Sequence, residues 1–221
     1  MAPGKIIDLR RLLAERFPQG SLPPGDRLPT GSSVFDDALA GGLTKGAITE
    51  LSSSALHAGS ATLVATLLRR AARERYFIAL IDGRDSFDPE SVGAAALRHL
   101  LWIRCAKTSE ALQAADLLLR DGNFPLVVLD LVLNPAAELR KIPQSNWYRL
   151  QRLVELAPTA FLVLTAQSMI SSAQWKLALE NQWTLPQLEA ETTELEARLK
   201  FRRQRGQPNE WGNHAAFSRA G

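Results

Sequence analysis

Apolar and polar positions along this chain change period repeatedly, and each change predicts an element. Ile6, Leu9, Leu12 and Leu13 recur at helical spacing with Arg10, Arg11 and Glu15 opposite them, which predicts an amphipathic helix over 6–17. Residues 18–31 hold four prolines and three glycines and read as a linker or extended arm. Thr30 to Ser33 caps a short helix running to Leu39 and ended by Gly41 and Gly42. Beyond it, strands are expected over 47–51, 77–82, 101–105, 126–131 and 160–166. Helices are expected over 60–75, where Leu63, Leu67 and Ala71 share a face, and over 89–99, 109–120 and 147–156. A short helix around 173–179 follows, then 183–188 and 195–203 as a C-terminal hairpin. The central strands are apolar throughout, as they are when helices cover both faces of a sheet. The expected fold is therefore α/β: a doubly wound, mostly parallel sheet with helices on both faces and a C-terminal β-hairpin. Three regions are expected: an N-terminal helix and arm over 1–27, a core domain over 28–205, and a flexible tail over 206–221.

Composition narrows the function classes. With 221 residues, 46% hydrophobic and 22% charged, the chain reads as an ordinary globular protein. Its longest apolar runs, LVVLDLVL and AFLVLTA, are strand-length, and the N-terminus lacks the apolar stretch of a secretion signal, so a soluble cytoplasmic protein is expected. Cys105 is the single cysteine, which excludes an internal disulfide and a multi-cysteine metal site; at the end of a core strand it reads as a small buried hydrophobe. His57, His99 and His214 lie far apart and form no metal-binding spacing, so no metal is expected. Net charge is only +3, but from Lys200 onward five bases face one acid, Glu210.

In a parallel sheet of this kind ligands sit beyond the carboxyl ends of the strands. The loop after the first core strand, SSSALHAGSAT over 52–62, opens a helix where a phosphate loop would read G-x-x-x-x-G-K-[ST]. Alignment on Gly59 sets Ser54 at the first glycine, Ser60 at the lysine and Ala61 at the magnesium-binding hydroxyl. By itself this is a small, polar helix start.

The flanking segments resemble the RecA recombinase family. Thr30, Gly31, Asp37, Ala38, Leu39, Gly41, Gly42, Leu43, Gly46 and Glu50 stand where that family leads into its core. FIALIDGRDSFDP is similar to its strand–Asp–x–Glu segment, with Asp82, Asp88 and Pro89 in place. LVVLDL looks like its second nucleotide motif, ending in Asp130, and LVLTAQ looks like the strand ending in a nucleotide-sensing glutamine, here Gln167. The resemblance covers about 28–205 and implies a RecA-like fold. It also implies a dead nucleotide site with no cofactor, because the family's lysine is Ser60, its magnesium-binding hydroxyl is Ala61 and its water-activating glutamate is Arg84. Serine carries no positive charge, alanine cannot ligate magnesium, and an arginine does not act as a base. Asp130 then reads as a strand-end carboxylate capping a turn, and Gln167 as a structural hydrogen bonder.

Size, the lost catalytic residues and the ending LKFRRQRG are similar to the ImuA family, accessory proteins of bacterial SOS translesion mutagenesis. That resemblance implies a non-catalytic role through protein contacts, with RecA and the polymerase-like ImuB as partners. Two other readings stand beside it: a divergent ATP-dependent recombinase, and a cell-division inhibitor resembling SulA that binds FtsZ. Two surfaces are candidates for contacts. Lys200, Arg202, Arg203 and Arg205, with Trp211 beyond them, would meet an acidic partner or make a weak DNA contact, or would form the solvated side of a half-buried strand. Ile6, Leu9, Leu12 and Leu13 would dock on a RecA-type neighbour or fold back on their own domain.

Overall fold

A computed structural model describes residues 26–53 and 58–205. The expected N-terminal helix with Ile6, Leu9, Leu12 and Leu13, most of the proline-rich arm, Ser54, and the tail with Trp211 lie outside the described residues. At the start, β1 (Arg27–Leu28) pairs antiparallel with β2 (Leu43–Thr44) around α1 (Ser33–Ala38). Ser32 caps α1 by accepting from the Phe35 N–H, and Asp36 accepts from the Thr30 N–H and hydroxyl. Gly42 returns the chain at φ +115°, and a Cβ there would lie 2.5 Å from the Leu28 carbonyl oxygen, so this corner admits only glycine.

The core alternates strand and helix in sequence: β3 (Ile48–Ser53), α2 (Ser60–Glu74), β4 (Ile78–Asp82), α3 (Ala94–Leu97), β5 (Leu100–Arg104), α4 (Thr108–Asp121), β6 (Leu126–Asp130), α5 (Ala136–Leu139), α6 (Gln144–Glu155), β7 (Ala160–Thr165) and β8 (Trp175–Leu179). The short helices α7 (Leu185–Leu188) and α8 (Thr192–Ala197) lead to β9 (Phe201–Arg205). Among the described residues seven strands make one sheet in the order β5-β4-β6-β7-β3-β8-β9, parallel except for β9, which runs antiparallel to β8. Strand period two divides the core into two layers. Ala160, Leu162 and Leu164 of β7 face a layer built with Phe35, Leu63, Leu67 and Leu68, whereas Phe161 and Val163 face one built with Ala111, Leu119, Trp147 and Leu150. The doubly wound sheet and the antiparallel C-terminal pair are thus present.

Three local expectations are corrected. The helix expected over 89–99 is only Ala94–Leu97, because Asp88 turns the chain by accepting from the Glu90 N–H and Gly93 sits at φ +83°. The segment over 173–179 is strand: Trp175, Leu177 and Leu179 alternate into one layer while β8 runs parallel to β3. The C-terminal pair is therefore 175–179 with 201–205, and not the two segments expected. Residues 183–188 and 195–197 wind instead. Thr184 and Gln187 form a capping box with Pro186 in the first turn, and Leu195 and Leu199 are buried at helical spacing.

Candidate functional site

Because β3, β4, β6 and β7 run parallel, their carboxyl ends share one rim, where Ser53, Asp82, Asp130 and Thr165 stand. Asp82 and Asp130 are register neighbours, so the two carboxylates occur side by side. Asp82 is fully buried and consumed by its own loop: it accepts from the N–H groups of Arg84 (3.2 Å) and Phe87 (2.8 Å), the Ser86 hydroxyl (3.2 Å) and the Trp102 indole (3.4 Å). The Gly83 N–H donates to the Asp130 carbonyl (2.9 Å), holding the ends of β4 and β6 together. Arg84 turns away from this pair; its guanidinium donates to the Ala106 carbonyl (3.1 Å) beyond β5.

Asp130 caps its turn as expected, accepting from the Val132 N–H at 3.0 Å. Burial pushes its carboxyl up to about 6 from an ordinary 3.8, with the Asp82 charge adding to the rise and the Val132 hydrogen bond opposing it. The folded chain therefore holds this proton more tightly than the unfolded one. Its share of stability is intact below pH 4 and lost as pH rises to about 6, after which the penalty is complete. Asp130→Asn is expected to remove a penalty of roughly 2–3 kcal/mol at pH 7.5 and to gain almost nothing at pH 4. Urea unfolding of both proteins at the two pH values measures this, and an equal difference at both would contradict it.

The helix that should receive phosphate is covered by the chain itself. A Cβ at Gly59 would lie 2.7 Å from Leu199 and 2.8 Å from the Trp183 ring, so these side chains pack directly on the first turn of α2. Glu196 of α8 fastens the same segment by accepting from the Thr66 hydroxyl (2.9 Å) and Arg69 (3.3 Å) of α2. Ser60 is half-buried and Ala61 exposed at that turn. Gln167 is exposed in the loop after β7, lining a cleft of about 370 Å³ with Arg140, Gln144 and Met169.

The basic end is largely engaged within the chain. Arg202 pairs with Glu180, Arg203 donates to the Ala38 carbonyl (2.7 Å) and lies over the Trp175 ring, and Arg205 donates to the Ser171 carbonyl (3.0 Å). Lys200 is exposed, and its N–H donates to the Asn181 side chain (2.7 Å). The structure does not bring these four side chains together with Asp130, Arg84 or Gln167.

Reading the sequence alone missed two features. Glu50, named only as a strand end, is a wholly buried carboxylate that accepts from the N–H groups of Met169 (2.6 Å) and Ile170 (3.1 Å) and the Ser168 hydroxyl (3.0 Å), and pairs with Lys176 (3.1 Å). A charge inside ITELSS and another inside WKLAL were the available signals. The Trp183 and Leu199 cover over Gly59 had none.

The sheet order, the degenerate loop and the paired strand-end aspartates together describe a RecA-like α/β chain. The curated relatives it matches are RecA proteins. It is 33% identical over 129 residues to Protein RecA of Frankia alni, covering 56% of this chain and 37% of that protein. It is 36% identical over 120 residues to that of Methylococcus capsulatus (52% and 34%) and 31% identical over 150 residues to that of Borrelia duttonii (61% and 41%). The chain spans only about two fifths or less of these relatives' lengths. No family model matches it. No helix among the described residues is long and apolar enough to cross a membrane.

Proposed function

We propose that this chain is a non-catalytic RecA-like accessory protein of the bacterial SOS response, acting through protein contacts in translesion mutagenesis as its likeness to the ImuA family implies. The observation that carries this reading is the first turn of α2. Ser60 and Ala61 stand there in place of the charged and magnesium-binding residues, and Trp183 and Leu199 lie on the Gly59 backbone. Phosphoryl transfer rests on positioning and charge stabilisation, and this turn offers neither a cation nor open space at Gly59. Arg84, bound to the Ala106 carbonyl, supplies no base, and Asp130 is spent on a turn. Partners of this reading are RecA and an ImuB-type polymerase-like protein.

The test is direct. Purified protein incubated with ATP and magnesium is expected to release no phosphate above background, and Ser60→Lys with Ala61→Thr is expected not to restore turnover while Arg84 remains. Capture of the two partners on the immobilised full chain from damaged cells, without nucleotide, is the matching positive result. ATP turnover that disappears in Asp130→Ala would overturn the reading.

A further inference from the structure

The two edges of the sheet are built differently. The edge strand β9 carries Arg202, Arg203 and Arg205, charges that discourage another strand from pairing there. The opposite edge strand, β5, reads LLWIR, with Leu100, Leu101, Trp102 and Ile103 all partly exposed and only Arg104 charged. Leu100 and Trp102 continue one core layer and Leu101 and Ile103 the other, so both layers reach this edge unfinished. The Ile78 N–H donates to the His99 carbonyl and the Cys105 N–H to the Asp82 carbonyl, each at 2.9 Å. Ladder alternation therefore turns the N–H and C=O groups of Leu100, Trp102 and Arg104 outward, where no strand among the described residues meets them.

Charge around the edge selects the occupant. Arg98 stands at its amino end, and Arg84, Arg104 and Lys107 at its carboxyl end, all exposed. The acids here are occupied: Asp85 faces Arg104 at 3.7 Å, and the Glu110 carboxylate accepts from the Ala106 and Lys107 N–H groups. A second copy is disfavoured. Antiparallel self-pairing centred on Trp102 would set Ala106, whose carbonyl holds Arg84, across from the other copy's Arg98.

We propose that β5 is a docking edge for an extended segment of another protein, with apolar residues at alternate positions and acidic residues at both ends. Main-chain pairing would supply affinity, the two unfinished apolar layers would bury its side chains, and the flanking arginines would select its charge. This gives the protein-contact reading a surface and rests on it for the existence of a partner; because the test below uses no nucleotide, either idea can fail alone.

The probe is a nine-residue peptide of alternating valine and threonine with two glutamates added at each end, titrated into the full chain while amide exchange is followed. It is expected to protect the Leu100, Trp102 and Arg104 amides and to bind at least about tenfold more tightly than a twin flanked by lysines. Methylating alternate backbone nitrogens of the peptide should abolish binding, and Arg104→Glu should narrow or reverse the preference. Equal affinity for the twins, or no protection, overturns the proposal. So does protection already present in dilute free chain, which would place the chain's own ends on the edge. Protection that rises with the chain's concentration would instead assign the edge to a second copy, and overturns it too.

Discussion

Glu50→Ala is expected to destabilise the protein by about 3–5 kcal/mol, the usual consequence of breaking a buried ion pair from one side. Glu50 is wholly buried, and Lys176 opposite it is 17% exposed. Removing the carboxylate strands that ammonium and leaves the Met169 and Ile170 N–H groups without their acceptor, 119 and 120 residues along the chain. The melting temperature should fall by about 10 °C or more in a chain of this size. Glu50→Gln keeps an acceptor for the two N–H groups but not the charge, so its loss should be intermediate. Glu50→Gln combined with Lys176→Met should recover part of that loss, since a buried pair replaced by matched neutral groups is often close to neutral. Urea unfolding of the four proteins measures this; a loss below about 1 kcal/mol for Glu50→Ala would mean the cluster is not structurally coupled.

A second large effect is expected at Trp175. This indole is completely buried, donates to the Thr44 hydroxyl at 3.1 Å, and lies between the guanidiniums of Arg27 and Arg203 at 5.3 and 5.1 Å from its ring centre. It ties the β1–β2 pair, β8 and β9 together at one point. Trp175→Ala should cost about 3–5 kcal/mol through the cavity and the lost stacking. Because Arg203 loses its platform, amides of β9 should exchange faster than those of β6 in the variant. Trp102→Ala on the partly exposed β5 edge is the control and should cost clearly less, since less of its surface is buried. Equal losses in the two variants would show that burial at β8 does not carry the effect.

Elements made by local signals were legible. The apolar runs at 126–131 and 160–166 became β6 and β7 within a residue, and Leu63, Leu67 and Ala71 marked the buried face of α2. Misreadings fell where a local pattern was ambiguous. Residues 173–179 are apolar over too short a length for periodicity to separate helix from strand, and pairing with β3 settled it. Leu195, Ala197, Leu199 and Phe201 satisfy a strand alternation, yet Leu195 and Leu199 also lie one helical turn apart, and burial against α2 and the Gly59 turn chose the turn. Of the candidate site, Asp130 as a turn cap could be read in advance. The intramolecular engagement of Arg202, Arg203 and Arg205 could not, because their partners Glu180, Ala38, Trp175 and Ser171 come from separate parts of the chain.

By itself the sequence determined the order of strands and helices, the α/β class, and the residue types present at the degenerate phosphate loop, all of which depend on neighbours within a few residues. Tertiary structure alone decided that β3 lies between β7 and β8, and with that which distant groups meet. Strand order brings Glu50 beside Lys176 and the loop at 168–170, and it leaves β5 at an open edge and β9 at a charged one. The connection between β8 and β9 then drops Trp183 and Leu199 onto Gly59. Local periodicity says which face of an element is apolar; only packing of the whole sheet says what that face, or a charge within it, will touch.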